Sequence, residues 1–283
     1  HGDELGGYVD LAGLGAVGVK SLSAMPWAGP PAPRVRETPA GMVNSVGLQG
    51  PGVERWAQDE LPALLDAGAR VVVSIWGRSV DEYARAAELC ASLPDVVVAV
   101  EVNVSCPNVE DRHRMFAHSP TATEEVIEAA GAARRPLWAK LSPNVTDVGT
   151  IAAAARRGGA EAVTLTNTLM GMVIDIEERR PLLGGGGGGL SGPAIHPVVV
   201  RHVHDVHDAF EDLPIVAVGG VASAHQEIEF LLAGATAVQV GTANFADPRS
   251  TENVLQGLAR WCDEHRVRQV SDLVGAAHQR RKT

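Results

Sequence analysis

Short apolar runs rich in β-branched residues recur along the chain, each separated from the next by a stretch of helical periodicity. They fall at 16–20 (AVGVK), 70–75 (RVVVSI), 96–102 (VVVAVEV), 136–141 (PLWAKL), 161–166 (EAVTLT), 214–218 (PIVAV) and 236–240 (TAVQV). Several are apolar without alternation, the pattern of strands covered on both faces. Between them the spacing of apolar residues predicts helices near 52–67, 79–92, 122–134, 146–157, 193–209 and 224–233, with a last one near 251–265. Ser79 before Val-Asp-Glu and Thr123 before Glu-Glu mark helix starts. Seven strands, each followed by a helix or a long loop, imply a parallel sheet, and an eighth strand would close it into a (β/α)8 TIM barrel of the α/β class. That missing first strand is expected upstream of His1, where the chain opens without a methionine. The alternative is an open doubly wound sheet, but no G-x-G-x-x-G follows an early strand to support it. The expectation is one barrel domain over 1–283.

Composition narrows the class. A chain of 283 residues suffices for one large α/β barrel or two small domains. Hydrophobic residues make up 45% and aromatics only 4%, which suits aliphatic helix-on-strand packing. The formal net charge is −10 with no long basic run, which argues against nucleic acid as a partner. No uninterrupted apolar stretch approaches the roughly 20 residues a membrane span needs. Cys90, Cys106 and Cys262 read as unpaired, and with no signal peptide they argue for a reducing cytoplasm. None lies in a C-x-x-C pair, so the chain shows no iron–sulfur or zinc ligand set, and any such cluster would belong to another subunit.

Chemistry concentrates where strands end, the place where α/β proteins bind ligands. Asn103-Val104-Ser105-Cys106-Pro107-Asn108 follows the run 96–102 and places a thiol between two carboxamides, a candidate base aimed at a small polar ring. Lys20 and Lys140 also end apolar runs, and a buried ammonium needs a negative partner, which a phosphorylated cofactor or an anionic reduced flavin would supply. Asn44, Asn103, Asn108, Asn144 and Asn167 mark the same rim and suggest a carboxamide cage for a substrate rich in C=O and N–H groups. Gly219-Gly220 follows strand 214–218 and Gly241-Thr242 follows strand 236–240, and in barrels the loops after the last two strands are the usual phosphate site. Two loops, 103–121 and 167–192, are unusually long. The second holds the run Gly184 to Gly189, whose first glycines read equally as a disordered tether, whereas Gly189-Leu190-Ser191-Gly192-Pro193 leads directly into a helix start that suits an anion. His196, His202, His204 and His207 scatter round a helix and read as a solvated face rather than a metal set. His113 and His118 lie in the first long loop and are weaker base candidates than Cys106. Cys90 and Cys262 read as small core or surface residues.

These residues resemble a known family. ETPAGMVNSVGLQGPGVE (37–54), EVNVSCPNV (101–109), KLSPNVTDV (140–148), LTNTLMGMVIDI (165–176), GGLSGPAIHP (188–197) and AVGGVASAHQEIEFLLAGATAVQVGTANFADP (217–248) resemble the class 1 dihydroorotate dehydrogenases. The wording of KLSPNVTD and NSVGLQGPG is most similar to their NAD-linked branch. The resemblance implies an FMN-bearing barrel that oxidises dihydroorotate to orotate in pyrimidine biosynthesis. It implies Cys106 as the base at ring carbon 5, with hydride passing from carbon 6 to the flavin. It assigns Lys20, Asn44, Asn103, Asn108, Asn167 and Thr168, with the backbone of Val46, Gly47 and Leu48, to the substrate. To the FMN it assigns Lys20, Ser21, Ser74, Asn103, Lys140 and Thr166, with Gly192, Gly219, Gly220, Gly241 and Thr242 around the phosphate and ribityl chain. It implies a homodimer, or a heterotetramer in which a second, electron-transfer subunit carries FAD and an iron–sulfur cluster. Three features depart from the family pattern. Residues 110–120 (EDRHRMFAHSP) stand where a glycine-rich loop is usual, Ser74 stands where a flavin-contacting asparagine is common, and the first-strand Ala-Ser-Gly lies before the start of this chain.

Three rivals remain in view: a dihydropyrimidine dehydrogenase, a flavin-free phosphosugar isomerase or aldolase barrel, and a degenerate barrel that only binds a partner. Lys20, Asn44 and the N-S-V-G-L backbone favour an anionic substrate. The expected outcome is a kcat/KM for dihydroorotate at least about 100-fold above that for dihydrouracil, because a site built for a carboxylate leaves its polar groups unpaired around the neutral ring. Side-by-side steady-state assays check this.

Overall fold

A computed structural model of the chain describes residues 2–106 and 115–278. They gather into two compact units, one of residues 1–30, 46–141 and 150–162, the other of 31–45, 142–149 and 163–283. Asn108 and His113 lie outside the described residues.

The first unit carries four parallel strands in the order Val17–Gly18, Val71–Ile75, Val97–Asn103 and Leu137–Lys140. All five residues of Val71–Ile75 are buried; the three valines and Ile75 contribute about 1.5–3 kcal/mol each, and the one polar residue, Ser74, is hydrogen-bonded to Ser21. The register sets Ser74 beside Glu101 and Asn103 beside Lys140, so the carboxyl ends of neighbouring strands line up. Helix Val80–Cys90 starts where Ser79 Oγ accepts from the Glu82 amide at 3.3 Å, and it buries Tyr83, Ala86, Ala87 and Cys90 at helical spacing.

Two helix boundaries differ from the sequence expectation. The helix expected over 52–67 is two, Val53–Asp59 and Leu61–Asp66, because Pro62 has no N–H and its ring clashes with the preceding turn. The helix expected from Thr123 is Pro120–Ala130, capped by Ser119 with proline at the first helical position. Thr123 sits inside it, buried, and donates to Phe116 O at 3.1 Å.

The second unit holds Ala162–Leu165 from its second residue onward, paired in parallel with Ile215–Val218, which pairs with Ala237–Gln239. Helices His196–Ala209, Ala224–Ala233 and Ser250–His265 belong to this unit. Ala224–Ala233 opens on a reciprocal cap, with the Ser223 amide donating to Gln226 Oε1 at 2.9 Å. Among the described residues no helix is long and apolar enough to cross a membrane.

The unit also contains a sheet that patterning did not predict. Strands Val35–Thr38, Gly41–Asn44, Gly188–Ser191 and Leu169–Gly171 pair antiparallel in that order. The stretch 167–192 is therefore built structure: its first glycines are no tether, since the Gly184 amide donates to Pro33 O at 2.8 Å and Gly186 bridges Leu183, and the last ones form a strand. Glycine is required there by close approach. A Cβ on Gly188 would strike Asn44 O, and one on Gly189 would overlap the Thr168 hydroxyl. Gly187 meets nothing closer than Gly171 O at 3.4 Å. Replacing Gly189 by alanine should cost about 1–3 kcal/mol in urea unfolding, whereas Gly187→Ala stays within about 0.5 kcal/mol of the parent. A tether would treat the two alike.

Candidate active site

In the first unit, strand Val97–Asn103 delivers the thiol. Beyond Asn103 the chain turns, the Ser105 amide donating to Asn103 Oδ1 at 3.1 Å, and Cys106 folds back so that its Sγ donates to Asn103 O at 3.3 Å. The same carbonyl accepts the Tyr83 hydroxyl at 2.5 Å. Tyr83 is fully buried, its ring held edge-on by Phe116 at 5.4 Å, and the Phe116 amide donates to Cys106 O at 3.2 Å. Asn103 Nδ2 donates to Ser21 Oγ at 3.3 Å, and Ser21 and Ser74 share a hydrogen bond of 2.8 Å. Three strand ends are thereby tied into one polar chain. Ser105 Oγ is buried and, among the described residues, has no hydrogen-bond partner, so a polar group could be accepted beside the thiol.

Charge surrounds this chain of contacts. Burial pushes the Cys106 thiol up to about 12, opposed by its hydrogen bond with Tyr83 and by the Lys20 ammonium. Burial likewise holds the Tyr83 phenol well above its ordinary range, with the Cys106 charge adding to it. Lys20 is lowered first by desolvation of its ammonium and then by Lys140, while Cys106 acts the other way, even though much of the Lys20 side chain is open to solvent. Lys140 has the negative partner its position called for within the chain itself. Its Nζ lies 3.1 Å from Glu101 Oε1, which is almost entirely buried. Glu101 was overlooked in sequence, although a single carboxylate inside VVVAVEV signals a buried pair. Tyr83 carried no such signal, since its spacing reads as core.

Residues 46–48 form a turn braced by a neighbour also missed in sequence. Gly47 and Leu48 both have positive φ, 64° and 63°, and Trp27 Nε1 donates to Gly47 O at 3.0 Å. Arg78 covers the Trp27 ring at 4.9 Å and Trp76 meets its edge at 6.2 Å.

The second unit gathers the remaining predicted residues. Asn44 closes strand Gly41–Asn44 and donates to Gly189 O at 3.3 Å. Asn167 Oδ1 accepts from the Thr168 amide at 2.8 Å, and Thr166, buried, donates to Asn167 O at 3.0 Å. Asn144, expected in the carboxamide cage, is committed to the fold instead. It donates to Thr168 O at 3.0 Å and accepts from the Met170 amide at 2.8 Å, which holds strand Leu169–Gly171. Gly192 (φ 94°) precedes the turn Pro193–Ile195 and the helix His196–Ala209. A Cβ on Gly220 would stand 2.9 Å from Gly192 O, so these two loops touch backbone to backbone. Gly241-Thr242 opens the short helix Ala243–Ala246, and a Cβ at Gly241 would meet only open space. Side-chain-free backbone at these loops, beside the start of helix His196–Ala209, fits the close approach of a phosphate.

The histidines correct the expectation of a solvated face. His196 is buried, bonded to Gly219 O at 3.1 Å and Glu229 at 3.0 Å. His204 and His207 pack against His278, with ring centroids at 3.9 and 4.8 Å. Cys90 and Cys262 are buried and free, as is Cys106.

The structure of DHODH in complex with ferulenol from Eimeria tenella is similar over 95% of this chain and 80% of its own, with a TM-score of 0.75 and 22% identity. That likeness shows the fold, and defines the chain as a (β/α)8 barrel protein. A family model described as dihydroorotate dehydrogenase matches residues 1–261, and the chain belongs to that family of flavin-dependent oxidoreductases. Its activity is the oxidation of dihydroorotate to orotate. The chain is 50% identical over 279 residues, 98% of its length and 90% of the relative's, to the dihydroorotate dehydrogenase B (NAD(+)), catalytic subunit, of Desulforudis audaxviator. It is 46% identical to the subunit so named in Alkaliphilus oremlandii, over 97% of its own length and 90% of the relative's.

Two buried thiols make stability depend on alkaline pH. Burial raises Cys90, like Cys106, from 9.0 to about 12, with Arg135 opposing. Below pH 9 both thiols keep their protons in the folded and unfolded chain, and their contribution is complete. Above pH 9 only the unfolded chain ionises, so each thiol withdraws about 1.4 kcal/mol per pH unit until its folded value is reached. Urea unfolding at pH 8 and 10.5 should therefore show a loss about 2 kcal/mol smaller in Cys90→Ala than in the parent.

Proposed function

We propose that Cys106 is the base of this oxidation, removing the proton from ring carbon 5 of dihydroorotate. The observation that carries this is a buried thiol fixed at a strand end between the Tyr83 hydroxyl and the Lys20 charge. FMN, when bound, supplies the hydride acceptor for carbon 6. The residues of the first unit suited to its ring are Lys20, Ser21, Ser74, Asn103 and Lys140, which present hydroxyl, carboxamide and ammonium groups at neighbouring strand ends. In the second unit Thr166 accompanies them, and Gly192, Gly219, Gly220, Gly241 and Thr242 suit its phosphate and ribityl chain. Lys140 is the ammonium that would face negative charge at the flavin site, and Glu101 keeps it in place. Substrate falls to Lys20, the 46–48 backbone and Asn103 of the first unit, to Asn44, Asn167 and Thr168 of the second, and to Asn108. Lys20 pairs with its carboxylate, and that pairing offsets the desolvation that lowers the ammonium.

A second subunit that would carry FAD and an iron–sulfur cluster, on a core of two copies of this chain, would connect the site to NAD. Relatives named as NAD(+)-linked catalytic subunits support this reading. Three free cysteines support a cytoplasmic setting.

A thiol at about 12 is a reluctant base, and its reactive fraction grows tenfold per pH unit below that value. An ordinary thiol would level off near pH 8.5. Flavin reduction in single-turnover mixing should instead keep rising through pH 9.5. Cys106→Ala should remain yellow and bind orotate within about threefold of the parent, while its reduction rate falls by at least about 1,000-fold. Undiminished reduction in that variant would reassign the base.

A further inference from the structure

His196 is a buried polar side chain that the chemistry above leaves unused. It is the first residue of helix His196–Ala209, and its contacts converge on a glycine loop of the second unit. Its Nδ1 donates to Gly219 O at 3.1 Å, and Nε2 lies 3.0 Å from Glu229 Oε2 on helix Ala224–Ala233. The imidazole packs on Phe230 with ring centroids 4.6 Å apart, which leaves it little freedom. Gly219 and Gly220 have φ of 149° and 76°, values that glycine alone adopts readily, so the loop has no side chains of its own to hold it. A Cβ on Gly220 would stand 2.7 Å from His196 Cβ, so the loop lies directly against the first turn of the helix.

We infer that His196, steadied by Glu229, is a positioning residue that aims the Gly219-Gly220 peptide at the phosphate of the flavin nucleotide. This rests on reading these glycines as the phosphate site. The peptide unit is planar and trans, so its carbonyl oxygen and its N–H point in opposite directions. Holding Gly219 O against the imidazole therefore fixes the Gly220 N–H to face away from the helix, ready to donate. Without the tether, two glycines would sample many orientations, and a bound phosphate would have to order them at its own cost.

The test titrates apoprotein with FMN and with riboflavin, which lacks the phosphate, following flavin fluorescence. The parent should bind FMN more tightly than riboflavin. His196→Ala should weaken FMN about 30-fold and leave riboflavin within about twofold. His196→Asn, whose carboxamide nitrogen falls near the Nδ1 position, should recover FMN affinity to within about threefold of the parent. Glu229→Gln should cost about threefold for FMN, and nothing further once His196 is alanine. Equal losses for both flavins in the alanine and asparagine variants, or no loss in either, overturns the inference. An additive Glu229 effect removes that residue from the pair. A parent that fails to distinguish FMN from riboflavin sinks the phosphate reading itself, an outcome read without any variant.

Discussion

The backbone carbonyl of Asn103 is the point on which the reacting half of the molecule turns. It closes strand Val97–Asn103 and accepts two hydrogen bonds, one from the Tyr83 hydroxyl and one from the Cys106 thiol. A carbonyl oxygen has two lone pairs, and here both are used to orient groups that can lose protons. The side chain of the same residue binds the Ser105 amide and Ser21. One strand end thus determines where the thiol sits, what lies beside it and which neighbouring strands it is tied to. That arrangement requires the strand to be rigid, which the buried Val and Ala residues along it provide.

Electrostatics within the first unit follow from the same strand order. Two lysines at strand ends would repel each other in an apolar setting, and Lys20 indeed feels Lys140 as an unfavourable charge. Glu101 relieves the second lysine, and at the first, among the described residues, only the Cys106 charge opposes desolvation and repulsion. The two lysines thus sit in different electrostatic surroundings, one of them paired with a buried carboxylate.

Much of this could be read from the chain, and the exceptions have identifiable causes. The seven parallel strands and most helices lie within a few residues of their expected positions, because long apolar runs and Ser79-type caps speak directly to local structure. Pro62 and Ser119-Pro120 moved two boundaries for reasons of proline geometry that the apolar pattern does not carry. The four-stranded antiparallel sheet was invisible because its strands are short and one is made largely of glycine, which has no hydrophobic signature. Cys106, Lys20, Lys140, Asn103 and the glycine pairs were legible as strand-end chemistry. Asn144 was not separable from them by type, since a carboxamide that binds backbone and one that awaits a ligand look the same in sequence. Glu101 and His196 were hidden by their partners. Only the fold shows that Lys140 faces one and that Gly219 faces the other.

The depth at which the Cys106 sulfur is buried has a second side. Peroxide and alkylating electrophiles attack the thiolate, and a thiol whose pKa burial raises to about 12 offers almost none of it in a resting cell. Burial that withholds the thiolate therefore also withholds the species on which oxidants act. An enzyme whose chemistry passes electrons through its centre would otherwise risk losing that sulfur to sulfinic acid, which is irreversible outside the peroxiredoxins.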